Sequence, residues 1–340
     1  MGEAPAPKPL ISPRARTLAG IAVSIVLLWY AARNVDFGKA WQAMSGVDFS
    51  LYAVSMLLYL ATMAVRSLVI ITLLGPHGRV TIGNALPNLV IGYFANNILP
   101  LKVGEIVRTA LIAREARIPF LTGLSALVVE RSLDVLSLLV IALAVSFFLE
   151  LPREVIVSVR VAGIVLAVVY AGAISLALVR GRTRERIDVV LRRLPAGAWI
   201  VRSLDQLSLG LRAVGRPAII VRTLFLVALF WTVAVALWYM RLRAFGLSED
   251  PAAAGLVLLV VGLGVSIPSA PSSAGVMHAC IVFVLGTLGV EPDRSFPFAV
   301  FLHALDFTFV AVLGLSIMSA KGIRMGALTA PDDPGEHPGR

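Results

Sequence analysis

The residues of this chain that could do chemistry stand inside apolar stretches, in two sets about 171 residues apart. The first contains Pro100, Gly104, Arg131 and Asp134, and the second contains Pro271, Gly275, His303 and Asp306. The prolines and glycines are each separated by 171 positions, and the two base-x-x-Asp steps by 172. Around them lie Arg66, Asn96, Asn97, Lys102, Glu105, Arg108 and Glu130 in the first half, and Ser272, Ser273 and His278 in the second. An ionised group at the bilayer centre costs about 2.5–3.5 kcal/mol on insertion scales, so such groups must pair or meet water and therefore face inward. Two copies in register suggest a duplicated unit of the kind that builds transporters.

Spacing predicts how these groups divide. Glu130 and Asp134 share a helix face and Arg131 can pair with Asp134, which reads most simply as a fixed internal ion-pair network, with substrate contact as the alternative. Glu105 and Arg108 can neutralise each other, leaving Lys102 at the first break without a local partner, and Lys102 and Arg108 are the residues expected to meet an anionic headgroup. Asn96 and Asn97 can donate amide hydrogens to phosphate oxygens, and helix starts after Pro100 and Pro271 would aim backbone donors at the same region. His303 reads as a hydrogen-bonded core histidine with proton coupling as the alternative, Asp306 as its partner, and His278 as either core or substrate-facing. No His-Glu-x-x-His, Asp-x-Asp or Gly-rich phosphate loop occurs, and Arg131 argues against a magnesium ion at Glu130 and Asp134. No catalytic residue, metal or cofactor is expected, and the chain is not read as an enzyme. A lone Cys280 excludes an intramolecular disulfide and any multi-cysteine metal site.

The elements that must hold these residues follow from composition. With 58% hydrophobic and 15% charged residues and a mean hydropathy of +0.89, the 340 residues read as an all-α polytopic membrane protein. Six apolar runs are long enough to span: 17–32, 51–74, 120–149, 155–179, 218–240 and 296–320. Residues 82–114 and 252–290 are interrupted by the Pro/Gly breaks and are expected to be two re-entrant helical hairpins, the alternative being kinked ordinary spans. Repeat one then covers about 51–149 and repeat two about 218–320, inverted relative to each other, within a transmembrane domain of 14–325. Residues 1–13 and 326–340 read as disordered ends, without an attached soluble catalytic domain.

A net charge of +10 is concentrated in segment 180–216, which suits a cytoplasmic loop facing anionic lipid rather than nucleic acid. The positive-inside rule places both termini in the cytoplasm of a cell inner membrane, with Arg241 and Arg243 as exceptions on the outer side.

The motifs Asn96-Asn97-Ile98-Leu99-Pro100, Gly104-Glu105 with Arg108, Glu130-Arg131 with Asp134, and the Pro271 to Gly275 turn resemble the lysylphosphatidylglycerol synthase transmembrane family. The resemblance covers most of residues 15–322 and implies a lipid flippase whose matching residues line a central cavity. Its expected partners are membrane lipids: a phospholipid, or a hopanoid-linked or polyprenyl-phosphate lipid. A homo-oligomer is left open. A lipid-modifying transferase or phosphatase and a non-transporting scaffold subunit are the competing readings.

Overall fold

The computed structural model describes residues 35–99, 102–149, 182–192, 217–266 and 271–323, together with a few isolated positions. Two of the expected spans, 17–32 and 155–179, lie largely outside the described residues, as do both termini, Pro100 and most of the basic segment. Among the described residues every regular element is helical. The first is a short helix, α1 (Phe37–Ser45), capped by the Asp36 carboxylate, which accepts from the Gly38 and Lys39 amides.

Two series of four helices follow, of nearly equal lengths. The first is α2 (Phe49–Leu74), α3 (Ile82–Ile98), α4 (Gly104–Ala116) and α5 (Phe120–Phe148). After α6 (Arg182–Leu191) comes the second: α7 (Pro217–Ala244), α8 (Pro251–Ser266), α9 (Val276–Thr287) and α10 (Pro292–Lys321). In each series two short helices stand between two long ones. At 1.5 Å per residue α3, α4, α8 and α9 are each about 18–26 Å long, short of the roughly 30 Å hydrocarbon core.

Three helices among the described residues are long and apolar enough to cross a bilayer: Phe49–Leu74, Ala218–Ala244 and Pro292–Lys321. The expectation of six full spans is thus met at three positions. Helix α5 has the length but carries Glu130, Arg131 and Asp134 together in its first half. Large apolar side chains such as Val140, Phe147, Val221 and Val312 are exposed on the long helices, as a lipid-facing surface requires.

Packing is reciprocal between the halves. Helix α2 lies along α7, and the Asp48 amide at its start donates to the Ala244 carbonyl at the end of α7. The two therefore run antiparallel. One buried cluster joins α3 and α4 to Val310 and Met318 of α10. Another joins α8, α9 and the start of α10 to Leu138, Ala142 and Val145 of α5. Each pair of short helices is thus cored by the last helix of the other half.

The mouths of the two pairs lie at opposite ends of the bundle. At one, Gly78 is so close to Ile118 that a β-carbon there would overlap its side chain, and Lys321 bonds Glu115 at 2.7 Å. At the other, the Arg294 guanidinium donates to the Gly246 carbonyl at 2.6 Å, and the Asp36 amide to the Asp293 carboxylate at 2.7 Å.

Glycine at the first break allows a close approach of two helices. A β-carbon on Gly104 would overlap the Gly92 carbonyl oxygen and stand 2.6 Å from Asn96 Oδ1, so α3 and α4 approach closer than any larger residue allows. Gly92 itself faces Arg108 Cβ, at 2.7 Å from where its own β-carbon would be. The second half repeats this contact 172 positions later, where a β-carbon on Gly264 would overlap Cys280 Sγ. The breaks also match in backbone: Lys102 (φ 55°) and Ser273 (φ 54°), 171 apart, are both left-handed, with Ser272 (φ 58°) beside the latter.

Candidate functional site

Six ionised side chains of the first half form one cluster with no net charge, in which Arg66, Arg108, Glu130 and Asp134 are buried and Arg131 and Glu105 are partly exposed. The Glu130 Oε1 atom accepts from Arg108 Nη2 at 2.7 Å and from Arg131 Nη2 at 2.9 Å, and lies 3.5 Å from Arg66 Nη1. Arg66 also bonds Asp134 at 2.9 Å, and Arg131 reaches Asp134 and Glu105, each at 3.3 Å. Three guanidinium groups thus face three carboxylates on α2, α4 and α5. Burying such charges is costly unless each finds its counterion, and here each does.

This corrects one sequence expectation. Glu105 and Arg108 do not neutralise each other: Glu105 pairs with Arg131, and Arg108 turns in to Glu130. The Arg131–Asp134 pair forms as its spacing predicts. Lys102 is partly buried, stands at the tip between α3 and α4, and has no ion-pair partner among the described residues.

In the second half a single pair occupies the equivalent place. Arg241 Nη2 bonds Asp306 Oδ1 at 2.6 Å, linking α7 to α10 as Arg66–Asp134 links α2 to α5. Sequence reasoning missed this arginine, placing it in an outer loop, because it took the span to end at residue 240. Helix α7 continues to Ala244, and Arg241 is only 2% exposed. The signal was present: Arg241 lies 175 positions after Arg66, the repeat distance plus one helical turn. The aromatic partners also reciprocate. Arg66 of α2 lies 3.8 Å above the Phe230 ring of α7, and Arg241 of α7 lies 5.5 Å from the Tyr59 ring of α2, residues 171 apart.

Between these ion pairs is a cavity of about 360 Å³ walled by both halves. Helix α2 contributes Tyr59 and Thr62, α3 contributes Tyr93, Asn96 and Asn97, α7 contributes Phe230 and Trp238, and α10 contributes His303 and Asp306. Ser272, from the turn between α8 and α9, completes the polar lining. Of the residues singled out in the sequence, the cavity gathers Asn96, Asn97, Ser272, His303 and Asp306. Neither Lys102 nor any arginine lines it, so it is not the cation-lined hollow that the motifs suggested. Glu130 and Arg108 instead border a separate space of about 20 Å³, room for about one water.

The histidines hold the second turn. Ser272 Oγ lies 2.8 Å from His303 Nε2, and His303 stacks on His278 with ring centroids 4.8 Å apart. The Gly275 amide, at φ 83° before the start of α9, donates to His278 Nδ1 at 3.3 Å. That amide is therefore taken within the protein rather than aimed into the cavity. Asp306, expected to partner His303, is bonded to Arg241 instead, while His303 Nδ1 and Asn96 Oδ1 are buried without a partner.

Apolar spanning helices, paired charges buried among them and a cavity between two matched helix series define a polytopic helical membrane protein. The chain belongs to the family described as "Lysylphosphatidylglycerol synthase TM region", whose profile matches residues 17–314. It is similar to "Glycosyltransferase AglD" of Haloferax volcanii, 23% identical over 94% of this chain and 56% of that protein. It is also similar to "UPF0104 membrane protein MJ1078" of Methanocaldococcus jannaschii, 20% identical over 65% of this chain and 91% of that one. The chain thus spans little more than half the length of the first of these relatives. No solved structure matches it.

Proposed function

We propose that this protein moves a phosphate-bearing lipid between the leaflets of the cytoplasmic membrane, the headgroup passing through the cavity while the tails stay in the bilayer. The observation that carries this reading is a cavity walled by both members of a duplicated set of helices, with Asn96, Asn97, Ser272, His303 and Asp306 in its lining. In this reading α3–α4 and α8–α9 are re-entrant hairpins opening on opposite faces of the membrane, and residues 51–149 and 218–320 are inverted repeats. Two such halves can exchange conformations at similar energy, which is the physical basis of alternating access. The antiparallel α2 and α7 and the opposite mouths of the two helix pairs support it.

Lys102, left-handed at the tip close to Gly104 and without an ion-pair partner among the described residues, would meet the lipid phosphate. Arg66, Arg108, Arg131, Glu105, Glu130 and Asp134 brace α2, α4 and α5 around the path rather than touch substrate, and His303 with Asp306 is the site where proton movement would couple. In proteoliposomes the Lys102→Ala variant should fold normally and lose translocation of a headgroup-labelled phospholipid. Unchanged translocation would refute the role of Lys102, and an inactive wild type with every lipid class tried would refute transport itself.

A second reading rests on the name of the Haloferax relative: the same cavity would present a lipid-linked substrate to a glycosyl-transfer reaction. Product formation from a labelled lipid phosphate by the purified chain, without translocation, would favour it.

A further inference from the structure

Helix α1 is held at both of its ends along one rim of the bundle. At its start the Asp36 amide donates to the Asp293 carboxylate at 2.7 Å, and Lys39 Nζ lies 3.8 Å from the same carboxylate. Asp293 is the second residue of α10, a helix long and apolar enough to span. At its other end only Gly46, Val47 and Asp48 separate α1 from α2, which has the same character. The Asp48 amide donates to the Ala244 carbonyl at the end of α7, and the Arg294 guanidinium to the Gly246 carbonyl just beyond it. The starts of α2 and α10 therefore stand at one level, and a nine-residue helix fastened to both runs along that level.

The two sides of α1 differ. Residues two apart on a helix point about 200° apart, so Trp41 faces away from the Lys39–Asp293 pair. It is 80% exposed, although a tryptophan ring carries one of the largest apolar areas of any side chain. The same rim carries Phe49, exposed at the start of α2. It also carries Phe148, exposed at the end of α5, because α5 leaves the opposite rim beside Ile118 and Gly78 and its 29 residues bring it back. Both belong to long helices with lipid-facing apolar side chains, and Trp41 continues that surface onto α1.

A tryptophan at this level has one favoured surrounding. Its ring is apolar with a single N–H donor, and it is enriched where hydrocarbon meets headgroups. Nine residues give a helix of about 14 Å, too short to cross the hydrocarbon core. Separate N-caps, Asp36 and Asp48, set α1 off from α2.

We propose that α1 is an interfacial helix, lying in the boundary between lipid headgroups and acyl chains with Trp41 inserted and its opposite side tied to the start of α10. The proposal is independent of whether the protein moves lipid.

The test uses the full chain in liposomes of phosphatidylethanolamine and phosphatidylglycerol, in a Cys280→Ser background. A nitrobenzoxadiazole dye on Trp41→Cys should sit about 5–10 Å into the headgroup–acyl boundary. Lipids spin-labelled near the headgroup should quench it most, lipids labelled near the chain end less, and aqueous iodide little. Glu249→Cys, exposed in the loop after α7, gives the aqueous reference, and Val312→Cys, exposed on α10, the deep one. Should the labelled variant not fold, bromolipid quenching of native tryptophan fluorescence is compared instead, with a larger loss expected in the wild type than in Trp41→Phe.

Iodide reaching the Trp41→Cys dye as freely as the Glu249→Cys dye would overturn the proposal, because α1 would then lie in water. Strongest quenching from the chain end would do so by placing it in the hydrocarbon core. A dye reached by neither lipid nor iodide would mean that a second copy covers this face, and equal bromolipid quenching of wild type and Trp41→Phe would remove the lipid contact as well.

Discussion

Glu130 is the hinge of the charged cluster, because one of its oxygens faces three guanidinium groups on α2, α4 and α5. Removing one partner from a buried ion pair leaves the other uncompensated, at about 3–5 kcal/mol. Glu130→Ala should therefore lower stability by about that amount, read as a fall in melting temperature in detergent. The Arg241–Asp306 pair offers a cleaner measurement. Arg241→Met and Asp306→Leu should each destabilise strongly, and the double variant should recover most of the loss, since an apolar pair carries no unmet charge. A double variant as unstable as the sum of the singles would mean that the two do not act as a pair. At this scale the sequence was readable only where partners are neighbours. Arg131 and Asp134 are three apart on one helix and could be paired from spacing, whereas Arg108 and Glu130 meet through the packing of α4 on α5. Asp306 was assigned to His303 for the same reason: proximity in the chain stood in for a partner 65 residues away.

The helices themselves were more legible, because proline and glycine punctuate them. Helix α3 ends at Ile98 and α4 begins at Gly104, and α8 ends at Ser266 before the turn opened by Pro271, close to the breaks marked in the sequence. Two features were not legible. The glycine contacts between the arms depend on which faces meet, and the left-handed Lys102, Ser272 and Ser273 are residue types that rarely take that backbone. Gly92→Ala or Gly104→Ala should cost about 1–3 kcal/mol through overpacking, seen as lower thermal stability and faster proteolysis at the α3–α4 tip. The start of α2 carries an acid-sensitive cap. Backbone donation from Leu51 and side-chain and backbone contacts with Ser50 hold the Asp48 carboxyl below its ordinary value. Its folded value is depressed, so the cap's contribution is present above the unfolded carboxylate range and is lost as pH falls through the folded value. Melting temperatures followed between roughly pH 3 and 6 should show this acid loss in the wild type and a flatter profile in Asp48→Asn.

Over the whole molecule, the duplication could be read from four positions 171 or 172 apart, and the structure extends it to Tyr59 with Phe230, Gly92 with Gly264, and Lys102 with Ser273. The halves are not copies in their chemistry: Cys280 stands where the first half has Arg108, and among the described residues the six-membered charge cluster has only the Arg241–Asp306 pair as its counterpart. The opposed insertion proposed for the two halves makes a direct prediction. In a Cys280→Ser background, His77→Cys and Arg79→Cys, both at exposed positions, should label from one side of the membrane, and Ser248→Cys and Val290→Cys from the other. Labelling of all four from a single side would remove the inverted arrangement. Where Gly92 meets Gly104, and Gly264 meets Cys280, there is no slack for even a methyl group, so the arms of a pair cannot slide or splay without opening voids. Each pair is in effect a solid wedge. If the two halves rock as proposed, each pair has to move as one body.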